Sequence, residues 1–334
     1  MKAIGYKTSL PITDSDALCD IEIEKPVASG RDILVEVKAI SVNPVDTKIR
    51  RNVEPSDGKH KILGWDVSGV VIAVGGQASL FKVGDEVWYA GAINRPGANS
   101  EYHLVDERIA SKKPISLMHE QAAALPLTSI TAWELLFDRL KITEDNSKKL
   151  LVIGAAGGVG SVLIQLAKQL TQLTVIATAS RNETKEWVRS LGADHVIDHS
   201  KPLSDGISSL GIPSVEYVIS LNQTKVHATE IEKVLAPQGQ LALIDDPGIF
   251  DIMPFKTKSI AIHWELMFTR SLFETEDMIE QHRLLERLSK LVDDGVVKTT
   301  AVKSIGTINA KNLKQAHSLL ESGQSIGKIV LSGF

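Results

Sequence analysis

A chain of 334 residues is longer than one ordinary core requires and points to two domains. With 37 Lys and Arg against 41 Asp and Glu, a net charge of −4 and 43% hydrophobic residues, it lacks the basic balance of a nucleic-acid binder. No apolar run approaches the roughly 20 residues of a membrane span, and the opening Met1-Lys2-Ala3-Ile4-Gly5-Tyr6-Lys7 is not a secretory leader, so the cytoplasm is the expected compartment.

The single cysteine, Cys19, excludes an internal disulfide and a cysteine zinc cluster, and reads as a small residue in an early strand or turn. The first 120 or so residues read as mostly β. Ile33, Val35, Val37 and Ala39 alternate with Leu34, Glu36, Lys38 and Ile40, a period-two strand that Asn43-Pro44 ends. Residues 67–74 form another, with Gly69 marking a bend or close backbone approach, and 82–88 reads as a turn entering a third. Short strands punctuated by glycine predict a small barrel-like domain. The loops at 50–61 and 89–99 have no period and are expected to shape a substrate cleft.

From residue 125 strands and helices alternate. Leu150 to Gly160 reads Leu-Leu-Val-Ile-Gly-Ala-Ala-Gly-Gly-Val-Gly, an apolar strand running into a glycine cluster. Val159, Val162, Leu163, Leu166, Ala167 and Leu170 then stripe one face of a helix. Strand, glycine turn and helix in that order form the first half of a dinucleotide-binding βαβ unit, whose helix N-terminus offers free N–H groups and a positive dipole end to a pyrophosphate. The strict three-glycine fingerprint is not met, because Ala155 stands in the first place, before Gly157 and Gly160; Ala156, Gly158 and Val159 complete the candidate turn.

Further strands are predicted at 174–178, 196–197, 215–219, 240–244 and 259–262, with helices between them, the rhythm of a doubly wound parallel sheet. At the tip of the second strand no carboxylate awaits a ribose; Ser180 and Arg181 stand there, with Lys185 a turn later. A hydroxyl and a guanidinium suit a 2′-phosphate, which favours NADPH; Ser180 as a plain N-cap with solvated Arg181 and Lys185 is the alternative. Leu221-Asn222 and Asp245-Asp246 lie after the fourth and fifth strands, where ligands dock in such sheets. His263, Trp264 and Glu265 follow the sixth and face either the cleft or a dimer partner. An amphipathic helix through Met278, Leu285, Leu288 and Leu291, then a strand, a helix near 313–320 and a last strand at 328–331 fold the tail back onto the first domain.

Five motifs in order carry a resemblance over nearly the whole length. They are Ser41-Val42-Asn43-Pro44-Val45-Asp46-Thr47, Leu63-Gly64-Trp65-Asp66-Val67-Ser68-Gly69-Val70-Val71, Val83-Gly84-Asp85-Glu86-Val87, Leu125-Pro126-Leu127-Thr128-Ser129-Ile130-Thr131-Ala132-Trp133 and the glycine cluster. Through them the chain resembles the medium-chain dehydrogenase/reductase superfamily, its quinone oxidoreductase (zeta-crystallin-like) branch, and the subgroup of zinc-type alcohol dehydrogenase-like proteins. The resemblance implies an α/β fold, a Rossmann doubly wound parallel sheet plus a GroES-like β-rich catalytic domain, with boundaries expected at 1–124, 125–270 and 271–334.

It also implies where a catalytic zinc would be held, and those positions are Asn43, Trp65 and Leu127, which are not zinc ligands. Metal-free hydride transfer from NADPH to a quinone or enone, by a cytoplasmic homodimer, is therefore the leading expectation. A zinc alcohol dehydrogenase, or an NADPH-binding sensor or scaffold with little turnover, are the alternatives. By the same resemblance Asn43 and Asp46 line the nicotinamide end, Asn43 as a donor to a carbonyl oxygen or, equally, as a turn-forming residue before Pro44. Trp65 is a planar wall or simply core, and Thr131 and Thr128 are contacts on the entry helix, Thr128 equally a cap. Lys328 approaches the cofactor or is an exposed strand lysine. Tyrosines that related quinone reductases carry after the Asn-Pro segment are replaced by Lys48 and Glu54.

Overall fold

The computed structural model describes residues 1–56 and 58–334; Asp57, inside the expected 50–61 loop, lies outside them. The chain forms two compact units, residues 1–130 with 268–334, and residues 131–267.

In chain order the first segment holds strands β1 (Lys2–Tyr6), β2 (Cys19–Glu22) and β3 (Asp32–Ser41), helix α1 (Pro44–Asn52), then β4 (Lys61–Ile62), β5 (Asp66–Val74), β6 (Glu86–Ala90), β7 (Tyr102–Asp106) and β8 (Ala110–Lys112), followed by helices α2 (His119–Ala123) and α3 (Pro126–Trp133). The second unit carries β9 (Lys149–Ile153), α4 (Gly158–Leu170), β10 (Thr174–Thr178), α5 (Asn182–Ser190), β11 (His195–Ile197), α6 (Leu203–Ser209), β12 (Val215–Ser220), α7 (Thr224–Val234), β13 (Leu235–Leu243) and β14 (Ala261–Trp264). The chain returns through α8 (Thr269–Leu272), α9 (Glu280–Asp293), β15 (Ala301–Ser304), α10 (Ala310–Glu321) and β16 (Lys328–Ser332).

The first unit is β-rich, as its alternating sequence predicts. A three-stranded sheet orders β2-β1-β4, and a seven-stranded sheet orders β15-β16-β3-β5-β6-β8 with β7 also on β3. Gly69 in β5 is required by close approach: a Cβ there would lie 2.2 Å from the Glu36 carbonyl oxygen of the neighbouring strand. Asn43-Pro44 does more than end β3. Pro44 opens the nine-residue helix α1, because a proline at the first helical position loses no hydrogen bond.

The second unit is a six-stranded parallel sheet in the order β11-β10-β9-β12-β13-β14. Leu151, Ile176, Val218 and Leu241 from four adjacent strands join Ile207 and Ile231 from the helices in one core, each side chain contributing about 1.5–3 kcal/mol on burial. The strand order reverses between β9 and β12, the switch point at which such sheets bind ligands. Two details depart from the sequence expectation. β13 begins at Leu235 rather than near Gln240, because α7 passes straight into it. His263 and Trp264 lie within β14 instead of after it, at the edge of the sheet.

Candidate functional site

The glycine turn sits at the switch point. Gly154, at the end of β9, takes φ +79°, and its N–H donates to Thr178 Oγ1 of the neighbouring strand at 3.2 Å. On the other side Leu221 N–H donates to the Ile153 carbonyl at 3.1 Å. A Cβ on Gly154 would stand 2.8 Å from Asn222 Oδ1, and one on Gly160 would stand 2.4 Å from the Ala155 carbonyl oxygen, so neither position accepts a side chain. Gly157 caps α4 from an extended conformation, with no side chain bonded to the helix terminus. The partly accessible backbone of Ala156, Gly157, Gly158 and Val159 therefore presents uncapped N–H groups at the positive end of a 13-residue helix, which fits a pyrophosphate.

At the tip of β10 the N-cap position of α5 is Arg181, not Ser180. The Arg181 guanidinium is partly exposed and meets Glu183 Oε1 at 3.0 Å, and Lys185 is partly buried on the next turn. Asp245 is engaged locally: its carboxylate accepts from the Thr224 N–H at 2.9 Å and from the Thr224 hydroxyl, holding the start of α7. Trp187 of α5 donates to Ser161 Oγ of α4 at 2.9 Å and ties the two helices that flank the turn.

In the first unit the sheet register assembles a buried polar cluster. Ser41 of β3 pairs with Asp66 of β5 on one side and with Val330 of β16 on the other. Lys328 lies two residues before Val330, hence on the same face of the sheet. Asp66 is 0% exposed and fully partnered: Ser41 Oγ, Asn43 Nδ2 and Lys328 Nζ donate to its Oδ2 at 2.8, 2.8 and 2.9 Å, and Leu127 N–H donates to Oδ1 at 2.7 Å. Lys328 is 3% exposed, which overturns the exposed-strand-lysine alternative. Its ammonium also donates to the Val42 carbonyl at 3.0 Å and to Asn43 Oδ1, so three acceptors meet its three N–H bonds.

Asp46, three residues into this segment from Asn43, accepts from the Asn43 N–H at 2.6 Å and the Gly64 N–H at 3.1 Å. Burial raises its carboxyl to about 7 against the pull of these donors and of Lys328. Trp65 is a core side chain, 1% exposed, its indole N–H on the Ala92 carbonyl at 3.1 Å and its ring edge-on to Phe268. Thr128 is not a cap: it lies inside α3 and returns its hydroxyl to the Leu125 carbonyl at 3.0 Å. Thr131 is buried one turn later on the same helix.

Sequence reading placed Asn43 and Asp46 in the site but missed that Asp66 and Lys328 complete one cluster with them. The signal was present, because an acid and a lysine inside strands that are otherwise apolar must be paired to be buried. The donor set around Asn43 is one amide, two carboxylates and an ammonium, flanked by Trp65 and Leu127. These residues do not fit a zinc ion: no thiolate or imidazole stands among them, the Asp66 oxygens already accept from four donors, and the adjacent Lys328 ammonium would repel a second cation. Among the described residues no three His, Cys, Asp or Glu side chains group as metal ligands.

Comparison with known proteins agrees with this architecture. Residues 29–115 match the alcohol dehydrogenase GroES-like domain, and residues 191–331 match the zinc-binding dehydrogenase family. A zinc-type alcohol dehydrogenase-like protein of Staphylococcus epidermidis is 39% identical over 337 residues, 99% of each chain. The chain belongs to the medium-chain dehydrogenase/reductase superfamily of oxidoreductases. A solved structure from Rhizobium etli CFN 42, assigned to the zinc-dependent alcohol dehydrogenases, is 56% identical with a TM-score of 0.97, covering 100% of this chain and 98% of that one. The Escherichia coli quinone oxidoreductase, solved with NADPH, is 25% identical with a TM-score of 0.85, covering 99% and 100%.

Proposed function

We propose that this protein is a zinc-independent, NADPH-dependent reductase of quinones or enones, working in the cytoplasm as a homodimer. The observation that carries the reading is the buried Asn43–Asp66–Lys328 cluster: of the positions at which the family resemblance expects metal ligands, Asn43 is an amide tied to a carboxylate and an ammonium, and the other two are Trp65 and Leu127. Without a Lewis acid, reduction of an isolated ketone loses its main electrophilic help, whereas a conjugated acceptor spreads the incoming charge onto a carbonyl oxygen. The dinucleotide, when bound, supplies the hydride.

The chain's residues hold and orient. Backbone N–H groups of Ala156 to Gly160 would take the pyrophosphate, Ser180, Arg181 and Lys185 the 2′-phosphate, and Leu221 and Asp245 the edge of the nucleotide. Thr128, Thr131, Asn43 and Asp46 serve the nicotinamide end, as the family resemblance implies. Trp65 backs the site from the core. Lys328 acts from inside the cluster, since its hydrogens are engaged there. The complex of the Escherichia coli enzyme with NADPH supports the choice of cofactor.

The test is oxidation of NADPH and NADH at 340 nm with a panel of benzoquinones, naphthoquinones and cyclic enones, alongside metal analysis of protein purified without metal-affinity resin. Turnover with NADPH and less than a tenth of an equivalent of zinc is the expected result. Stoichiometric zinc, or turnover confined to alcohols, would replace this reading with a zinc alcohol dehydrogenase.

A further inference from the structure

We infer that Lys328 and Asp66 are positioning residues that hold the Asn43 amide as a polarised donor for a substrate carbonyl oxygen; this rests on the reductase reading above. An asparagine amide can ordinarily sit either way round. Here it cannot. Lys328 Nζ donates to Asn43 Oδ1 while Asn43 Nδ2 donates to Asp66 Oδ2 at 2.8 Å, and reversing the amide would set an NH₂ against an ammonium and a carbonyl oxygen against a carboxylate. The two charged groups bond to each other at 2.9 Å and close a three-membered ring of side chains. Ser41 Oγ and Leu127 N–H fill the remaining places on Asp66, so the frame is rigid.

This arrangement leaves one amide hydrogen over. Nδ2 carries two, one is spent on Asp66, and the second has no acceptor among the described residues, although Asn43 is 1% exposed. A buried N–H without a partner is costly, and a ligand oxygen relieves that cost. The ammonium on Oδ1 draws electron density through the amide and strengthens the remaining N–H as a donor, an effect that grows where water is excluded.

An enone gives this donor its task. A hydride adds to the β-carbon, the C=C π pair becomes the enolate, negative charge arrives on the carbonyl oxygen, and a proton from solvent completes the saturated ketone. The donor is then worth most when the charge is greatest, which is transition-state stabilisation by a preset dipole. Lys328 does not touch the acceptor. Its effect passes through Asn43.

The experiment measures Lys328→Met, Lys328→Arg, Asn43→Ala, the double variant Lys328→Met/Asn43→Ala, and Lys328→Met/Asp66→Asn, the last removing both charges together so that the fold survives. Each is assayed for kcat and KM with an enone, and for the infrared C=O stretch of bound 2-cyclohexenone carrying a carbon-13 carbonyl. Expected are a 10- to 1,000-fold fall in kcat for Lys328→Met with NADPH affinity unchanged, partial rescue in Lys328→Arg, and no further loss when Lys328→Met is added to Asn43→Ala. The bound carbonyl is expected at lower frequency in the parent protein than in Lys328→Met or Asn43→Ala. Additive losses, or a carbonyl frequency indifferent to Lys328, would overturn the inference, as would cyclohexenone that does not bind. If the parent protein reduces no acceptor, the reductase reading falls by itself, and the carbonyl frequency still decides whether Lys328 acts through Asn43.

Discussion

Asp46 shows how one side chain's position in the fold sets its chemistry. Its neighbour Asn43 precedes a proline, so the chain turns into α1, and the third residue of that turn folds its carboxylate back onto the Asn43 N–H at 2.6 Å. Burial nevertheless raises the carboxyl to about 7 from its ordinary 3.8. A carboxyl whose folded pKa lies above its unfolded one stabilises the fold fully below about pH 3.8 and loses that contribution as pH rises through about 7. The substitution Asp46→Asn removes the titration. Its absolute stability falls, since an amide oxygen accepts one of the two backbone N–H groups and its NH₂ opposes the other. Its stability should also change less than the parent's between pH 4 and pH 7.5, by a few kcal/mol on the scale of 1.36 kcal/mol per unit. Urea midpoints of both proteins across that range provide the check, and parallel curves would show that Asp46 titrates alike in the folded and unfolded chain.

At the scale of elements, the strand–turn–helix unit was the most legible part of the chain, for a physical reason. An apolar run, a glycine cluster and a 3.6-residue stripe each record a local constraint that a single segment satisfies alone. Gly154 and Gly160 were readable because their backbone geometry admits no side chain. The polar cluster was only half legible. Asn43 and Asp46 are three residues apart and announce a turn, but Lys328 and Asn43 are 285 residues apart and meet only through the register of β16, β3 and β5. The edges of elements were less readable too: nothing local in 235–240 reveals that a helix runs directly into β13. On the proposed reading, the same βαβ unit carries the choice of cofactor. Arg181 is held at the tip of β10 by Glu183 at 3.0 Å, so a phosphate must compete with a carboxylate for the guanidinium. Replacing Arg181 with Ser should weaken NADPH binding about 10- to 100-fold, the worth of one charge-assisted pair, and leave NADH unchanged. Replacing Glu183 with Gln should tighten NADPH binding. Fluorescence titration of both cofactors measures this, and an equal loss for NADH and NADPH would remove Arg181 from the 2′-phosphate site.

For the molecule as a whole, the decisive feature is an open edge. Among the described residues β14 pairs with β13 on one side only, and its outer side carries backbone donors and acceptors that no other strand of the sheet covers. Isolated proteins blunt such edges with lysine, proline or a bulge. β14 instead reads Ala261-Ile262-His263-Trp264, with Trp264 58% exposed and Leu266 beyond it 50% exposed. A large aromatic residue on an unprotected edge is the composition of an interface core rather than of a solvated surface. In the proposed homodimer a second copy related by a twofold axis would satisfy it, because antiparallel pairing of β14 with itself is self-complementary and leaves no further edge to propagate. The proposed homodimer would thus join two six-stranded sheets into one of twelve. Sedimentation velocity at micromolar concentration should give twice the chain mass for the parent protein. The variant Trp264→Glu places a like charge beside its own symmetry mate and should sediment as a monomer that still binds NADPH, because the glycine turn lies on β9, three strands from this edge. A parent protein that sediments as a monomer at that concentration would exclude the edge as an interface, and Trp264 would then need another reason to face solvent.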